Sequence, residues 1–316
     1  MLYFLVFRKM RESNERYRNI IQTSIDCFWH VDTEGRILDV NDAYCQLSGY
    51  TREELLNMHV PDVEAKETSG DTAQHIHTVL TKGYDRFDTQ HRHKDGQLLD
   101  FEVSVVYQQD TEGRHLFAFL HDITGRKQTE EKIRNLALHD TLTQLPNRRL
   151  LNDRLEQTMA ASKRSGLYGA LMFLDMDNFK QLNDTHGHGA GDLLLMEVAR
   201  RITGCVREMD TVARFGGDEF VVVLSELDVD KAESTTQASI VAEKIRAALA
   251  EPYVLTIRQT GGAETTIEHH CTSSIGVVLF ISHEPGAEDI LKWADMAMYQ
   301  AKEAGRNLIR FYDSKA

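Results

Sequence analysis

Two carboxylates, Asp218 and Glu219, follow two adjacent glycines, Gly216 and Gly217, in the stretch Arg214-Phe215-Gly216-Gly217-Asp218-Glu219-Phe220. The glycines permit a tight turn that residues bearing a Cβ resist. An apolar run from Val221 to Leu224 follows at once, so the segment predicts a β-hairpin with both acids just past its turn. On its own, an acid pair there is ordinary solvated surface. A second acid cluster, Asp175-Met176-Asp177, stands at the end of another apolar run, Gly169 to Leu174, which reads as a buried strand. Carboxylates gathered at two strand ends suit hard divalent cations that also bind substrate phosphates.

The elements that must position these acids are legible around them. A helix from Asn147 to Ser162 begins after Leu145-Pro146. Helices are expected around Asn178 to Asn183, around Asp192 to Val206, and running to Ala250. Strands near Tyr253 to Arg258, Thr265 to His270 and Ser274 to Phe280 precede a last helix, Ala287 to Ala304, and a final strand, Leu308 to Tyr312. Helices alternating with strands around one hairpin give an α/β sheet of palm-like type.

The preceding half is built differently. Glu12 to Ser24 reads as a helix with Tyr17, Ile20 and Ile21 on one face. Cys27 to Val31 and Arg36 to Val40 read as strands about the Asp32-Thr33-Glu34-Gly35 turn. Short helices at Asn41 to Leu47 and Thr51 to Met58 follow, then a longer one, Asp71 to Lys82. Strands near Arg86 to His93, Leu98 to Tyr107 and His115 to His121 complete an α+β pattern. Gly125 to His139 reads as a connecting helix whose narrow stripe (Ile133, Leu136, Leu138) suits either a parallel pairing of two protomers or a solvated linker.

Composition narrows the function classes. A net charge of −13 over 316 residues argues against a nucleic-acid surface, which needs a basic stripe. An anionic substrate would therefore need metal ions and local Lys or Arg. The 4 cysteines (Cys27, Cys45, Cys205, Cys271) show no metal-ligand spacing and read as reduced thiols of a cytoplasmic protein. Met1 to Phe7 is apolar and precedes Arg8, Lys9 and Arg11. It is far shorter than the roughly 20 residues a membrane helix needs. The segment is either the cut end of an anchor, which would put the protein at the inner face of a membrane, or the first turn of an amphipathic helix.

The second half resembles the GGDEF family of diguanylate cyclases: the Gly216-Gly217-Asp218-Glu219-Phe220 hairpin, the Asp175 cluster, and the opening Asp140-Thr-Leu-Thr-Gln-Leu-Pro-Asn-Arg-Arg149 all match. The first half resembles a PAS sensor domain through Trp29-His-Val-Asp32, Gly35-Arg-Ile-Leu38, Val40-Asn-Asp-Ala43, Gly49-Tyr50, Glu53-Glu-Leu-Leu56, Lys94-Asp-Gly96 and Asp122-Ile-Thr124. Each piece is weak alone, and their order carries the resemblance. It implies an apolar and basic segment at 1–11, a PAS domain at 12–124, a signalling helix at 125–139 and a GGDEF domain at 140–316.

The reaction implied by the resemblance is condensation of two GTP into cyclic di-GMP with loss of two pyrophosphates. The resemblance implies Mg²⁺ or Mn²⁺, two per active site, held by Asp175, Asp218, Glu219 and the carbonyl of Met176. Which of Asp218 and Glu219 takes a proton is open. Asn178, Phe179 and Lys180 are expected to offer backbone N–H groups and a cation to the phosphates. Lys302 and Arg306, four apart and so expected on one helical face, match the family's phosphate-binding pair. Asn183 and Asp192 match its base-reading pair, although Asp192 also suits the N-cap of its helix. His188 reads as a packing or hydrogen-bonding residue.

Arg207-Glu-Met-Asp210 matches the family's RxxD product-inhibition site, with Lys244 or Arg246 as further candidates. A cyclase whose active site holds one GTP must work as a homodimer, aligned by the PAS domain and its helix. The PAS ligand is unassigned: His75 and His77 sit where histidines hold haem in some relatives but read as surface residues, and Trp29 reads as core. Two readings compete with an active enzyme, a GGDEF domain that only senses nucleotide and a dimeric scaffold. Phe215 replaces a frequent Tyr, and the hairpin around Gly261-Gly262 is long.

Overall fold

Alternating apolar residues in the first half pair into an antiparallel sheet because each strand has one face to bury and one to solvate. In the computed structural model, which describes residues 21–109, 111, 113–258, 264–281 and 286–313, the chain divides into two units, Met1–Lys132 and Ile133–Ala316. The segment 1–11, most of the helix expected over Glu12 to Ser24, and the Gly261-Gly262 tip lie outside the described residues.

The first unit has strands β1 (Cys27–Val31), β2 (Ile37–Val40), β3 (Tyr84–Arg92), β4 (Leu98–Gln109) and β5 (Arg114–Asp122), in the order β2-β1-β5-β4-β3. Between β2 and β3 run α1 (Asp42–Ser48), α2 (Arg52–Leu55), α3 (Val60–Val63) and α4 (Ser69–Lys82). Asn41 caps α1 by accepting from Tyr44 N, and Thr51 with Glu54 forms the capping box of α2. The helix expected to reach Met58 stops at Leu55, because the Met58 carbonyl leaves to accept from Ile37 N at the edge of β2.

The core of this unit holds a polar cluster beside a cavity of about 60 Å³. Glu64 and His91 are almost wholly buried, with His91 Nε2 3.8 Å from Glu64 Oε2. Thr89 Oγ1 donates to Glu64 at 2.7 Å, Tyr44 Oη lies 3.0 Å from His91 Nδ1, and Trp29 stacks on the imidazole. Burial pushes His91 below its ordinary 6.5, to about 4, against the opposing pull of Glu64. The unfolded chain thus takes a proton before the folded one. The stability this contributes is complete above pH 6.5 and drains as pH falls toward about 4. Thermal melts from about pH 7 to pH 4.5 should show the first unit losing several degrees. His91→Gln, which has no proton to gain, should flatten that slope; equal slopes would refute the account.

His75, expected as a surface histidine, is tied down: Nδ1 is 2.6 Å from Asp85, Nε2 is 3.3 Å from Glu67, and its ring stacks on Phe87. Both nitrogens are engaged, whereas His77 is exposed. Helix α5 (Thr124–Leu138) carries exposed Ile133 (61%) and Leu136 (64%).

The second unit is a helix–sheet–helix sandwich. Its five-stranded sheet has the order β12-β11-β6-β8-β7, from β6 (Gly169–Asp177), β7 (Thr211–Gly216), β8 (Glu219–Leu224), β11 (Thr272–Phe280) and β12 (Ile309–Phe311). On one face, Met172, Leu174, Phe220 and Val222 pack with α8 (His188–Thr203) and α9 (Lys231–Ala250). On the other, Leu171, Phe173, Val221 and Val223 pack with α6 (Arg148–Ser165) and α10 (Ala287–Glu303). Both faces are covered, which is why β6 reads as unbroken apolar sequence. Strands β9 (Tyr253–Arg258) and β10 (Glu264–His269) form a separate hairpin.

Candidate active site

Strand β6 extends past Leu174, where the apolar run stops, and carries Asp175, Met176 and Asp177 inside the sheet rather than beyond it. Pairing on both sides sustains it: Asp175 sits opposite Glu219 of β8, and Asp177 opposite Thr272 of β11. With a side-chain period of two, Asp175 and Asp177 share the face of Leu171 and Phe173, while Met176 points into the opposite core. Asp218 lies in the turn itself, and its carbonyl accepts from Met176 N at 3.3 Å. Only Gly217 takes a left-handed conformation there (φ 52°); Gly216 has no such requirement and open space where a Cβ would go.

One cation reaches this acid group from α10: Lys302 Nζ is 2.7 Å from Asp175 Oδ1. Burial raises the proton affinity of Asp175, with Asp218 and Asp177 adding to it and Lys302 opposing it. Glu219 is raised by burial first, then by Asp175, Asp295 and Asp218. Among the described residues no three His, Cys, Asp or Glu side chains already form a metal shell. The carboxylates nevertheless repel one another despite the Lys302 ammonium beside Asp175, and their hard oxygens fit a divalent cation.

Asn178 has left-handed backbone (φ 61°) and opens α7 (Phe179–His186), leaving Lys180 exposed in its first turn. The Asn183 side-chain oxygen is buried without a hydrogen-bond partner among the described residues. It lies against Gly191, where an added Cβ would overlap it and press on Phe179 Cζ at 3.0 Å. Asp192 is no N-cap: α8 starts at His188 after Gly187, so Asp192 is an exposed residue of its second turn. His188 is exposed at the helix start.

Lys302 and Arg306 do not share a helical face. Helix α10 ends at Glu303, and Gly305, Arg306 and Asn307 all have positive φ (123°, 63° and 49°). Arg306 therefore sits on an exposed left-handed loop, its N–H bonded to the Ala301 carbonyl.

Arg214 belongs to the signature stretch, but its part depends on Asp140, 74 residues away. Its guanidinium donates to both Asp140 oxygens at 3.0 and 3.1 Å and to the Gly217 carbonyl at 2.7 and 3.0 Å. It thus clamps the turn to the entry segment of the unit. Burial raises Asp140, but hydrogen bonds from Thr143 and Arg214 outweigh it and hold the carboxyl below its ordinary range.

At the RxxD segment, Asp210 accepts from Arg207 N at 3.0 Å and from Ser225 N at 3.2 Å. A cavity of about 360 Å³ opens here, lined among others by Arg207, Asp210, Gln237, Ile240 and Lys244. Arg246 is absent from that lining and instead donates to Glu243 and, at 2.7 Å, to Asn307 Oδ1.

Comparison with known proteins agrees with this architecture. A model described as "Diguanylate cyclase, GGDEF domain" matches residues 137–308, and one for the PAS fold matches residues 15–123. The chain is 39% identical over 191 residues to the bifunctional diguanylate cyclase/cyclic di-GMP phosphodiesterase MucR of Pseudomonas aeruginosa, covering 60% of this chain and 26% of that protein. It is 30% identical over 279 residues to the diguanylate cyclase DgcM of Escherichia coli, covering 87% and 63% respectively. It thus spans less than two thirds of either relative. The coiled coil and GGDEF domain of DgcB from Caulobacter crescentus, solved in complex with c-di-GMP, superposes with a TM-score of 0.51 at 28% identity, over 60% of this chain and 93% of that one. With more than half of its length matched by that model, the chain belongs to the GGDEF family and carries a PAS domain ahead of its GGDEF domain.

Proposed function

We propose that the protein is a diguanylate cyclase, a nucleotidyltransferase that joins two GTP into cyclic di-GMP and releases two pyrophosphates. The observation that carries this reading is the facing of Asp175 and Glu219 across β6 and β8, beside Asp218 and under the Lys302 ammonium. Asp175, Asp218, Glu219 and the Met176 carbonyl would hold two Mg²⁺ or Mn²⁺ ions. When bound, such ions neutralise triphosphate charge and polarise the α-phosphoryl group.

The chain's own groups then divide the work. Glu219, whose proton affinity burial and its acid neighbours raise, accepts the proton of the ribose 3′-hydroxyl. That oxygen bonds to the α-phosphorus of the facing GTP, and the bond to the leaving pyrophosphate breaks. The backbone at Asn178 and Phe179, with Lys180, Lys302 and Arg306, holds the phosphates. Asn183 and Asp192 read guanine, the unpartnered Asn183 oxygen being suited to a ligand N–H. Two such sites must face each other, so the active form is a homodimer, with Ile133 and Leu136 of α5 offering an apolar stripe to the second copy. The PAS domain biases that pairing between productive and unproductive arrangements. The four cysteines are free, in keeping with work in the cytoplasm. Among the described residues no helix is long and apolar enough to cross a membrane.

Purified protein, stripped of bound nucleotide, should convert GTP with Mg²⁺ into cyclic di-GMP identified by mass spectrometry. No product from the stripped dimer would favour a nucleotide-sensing module instead.

Product returns to the cavity beside Arg207, Asp210 and Lys244 and inhibits. Arg207→Ala should raise the cyclic di-GMP concentration for half-inhibition by about tenfold or more, with the initial rate unchanged. Unaltered inhibition would remove this site from the account.

A further inference from the structure

Asp177 is buried to 3% exposure within two residues of the proposed metal-binding acids, yet no step above uses it. Its carboxylate is saturated by donors from two other segments. Ser274 Oγ donates to Oδ1 at 2.8 Å; Thr272 Oγ1 and the Asn307 backbone N–H donate to Oδ2 at 2.6 and 3.0 Å. Two of these donors open β11. The third is the left-handed loop that follows α10 and carries Arg306.

The loop's own backbone ties it to the end of α10, with Gly305 N–H donating to the Lys302 carbonyl at 3.4 Å and Arg306 N–H to that of Ala301 at 3.1 Å, and just beyond it the Leu308 carbonyl accepts from Ile275 N at 2.9 Å. Three consecutive positive-φ residues, two of them not glycine, do not persist without outside contacts. Asn307 supplies the contacts at both ends of the residue: its N–H binds Asp177, and its side-chain oxygen accepts from Arg246 of α9 at 2.7 Å. The loop is thereby pinned between the strand that holds Asp175 and a helix that also lines the Arg207 cavity through Lys244.

We propose that Asp177 is a positioning residue that fixes the Gly305–Asn307 loop against the end of β6, so that Arg306 meets the GTP triphosphate beside Lys302. This rests on the cyclase reading for the identity of the ligand. A buried carboxylate satisfied by an amide and two hydroxyls holds geometry without taking part in the chemistry. Substituting Asn turns an acceptor into a donor aimed at existing donors, which frees the loop while preserving volume.

The experiment compares wild type, Asp177→Asn, Arg306→Ala and the double variant. Affinity is read with a GTP analogue bearing a methylene bridge between the α and β phosphates, so that binding is measured whether or not turnover occurs. Asp177→Asn should weaken binding by about tenfold, and the double variant should bind no more weakly than the weaker single, because both act through one contact. Amide exchange at Arg306–Leu308 should quicken in Asp177→Asn while the centres of β6 and β8 stay protected. Where wild type turns over GTP, KM should rise with kcat within about threefold.

Faster loop exchange with unchanged analogue affinity would overturn the proposal, leaving Asp177 a purely structural pin. Fully additive losses in the double variant would overturn it too. Absence of GTP turnover by wild type would sink the cyclase reading alone, since analogue binding and exchange would still decide the role of Asp177.

Discussion

Replacing Glu219 with glutamine should lower cyclic di-GMP formation by about a thousandfold, the scale set by losing a positioned proton acceptor together with a carboxylate oxygen for a cation. The side chain sits opposite Asp175 in the β6–β8 ladder and keeps its position by backbone pairing, so the isosteric amide should not disturb the hairpin. Stability separates this loss from unfolding. Burial, Asp175, Asp295 and Asp218 all disfavour the charged form of Glu219 in the folded protein. Removing that charge relieves repulsion, and the variant should melt no lower than wild type. The check pairs product quantification by mass spectrometry with thermal melts on the same preparations. Retention of more than about a tenth of the rate would exclude Glu219 as the proton acceptor.

Gly276→Ala should cost the GGDEF domain about 3 kcal/mol or more and leave much of it insoluble. Gly276 lies in β11, between Phe173 of β6 and Arg310 of β12, beneath α10. An added Cβ would overlap the Ala294 carbonyl oxygen and the Met298 nitrogen and come within 2.9 Å of Ala297 C. These are backbone atoms of a helix packed on the sheet, so no rotamer change can make room. The helix must lift, and Lys302 near its end would lose its 2.7 Å contact with Asp175. Denaturant unfolding of Gly276→Ala against Gly189→Ala is the test, since a Cβ at helical Gly189 meets nothing within 4 Å. The control should change stability by no more than about 1 kcal/mol. Equal behaviour of the two variants would show that α10 approaches β11 less closely than described.

Signals that act over a few residues were readable from the amino-acid order alone. The hairpin at Gly216-Gly217, the β6 run and the alternation of strands in the first unit follow from backbone freedom and side-chain periodicity. Those properties are local, which also makes the family resemblance legible. Features that depend on partners distant in the chain emerged only on packing. Strand pairing on both sides drew β6 on through Asp177, although the apolar pattern stops at Leu174. Arg306 left the helical face it was expected to share with Lys302, because Asp177 and Arg246 hold Asn307 in a left-handed turn from 130 and 61 residues away. The clamp of Arg214 on Asp140 and the closeness of Gly276 to α10 carry no local pattern at all. Such contacts exist only once packing brings the elements together, which is why the acids of this site were legible in sequence and the framework that aims them was not.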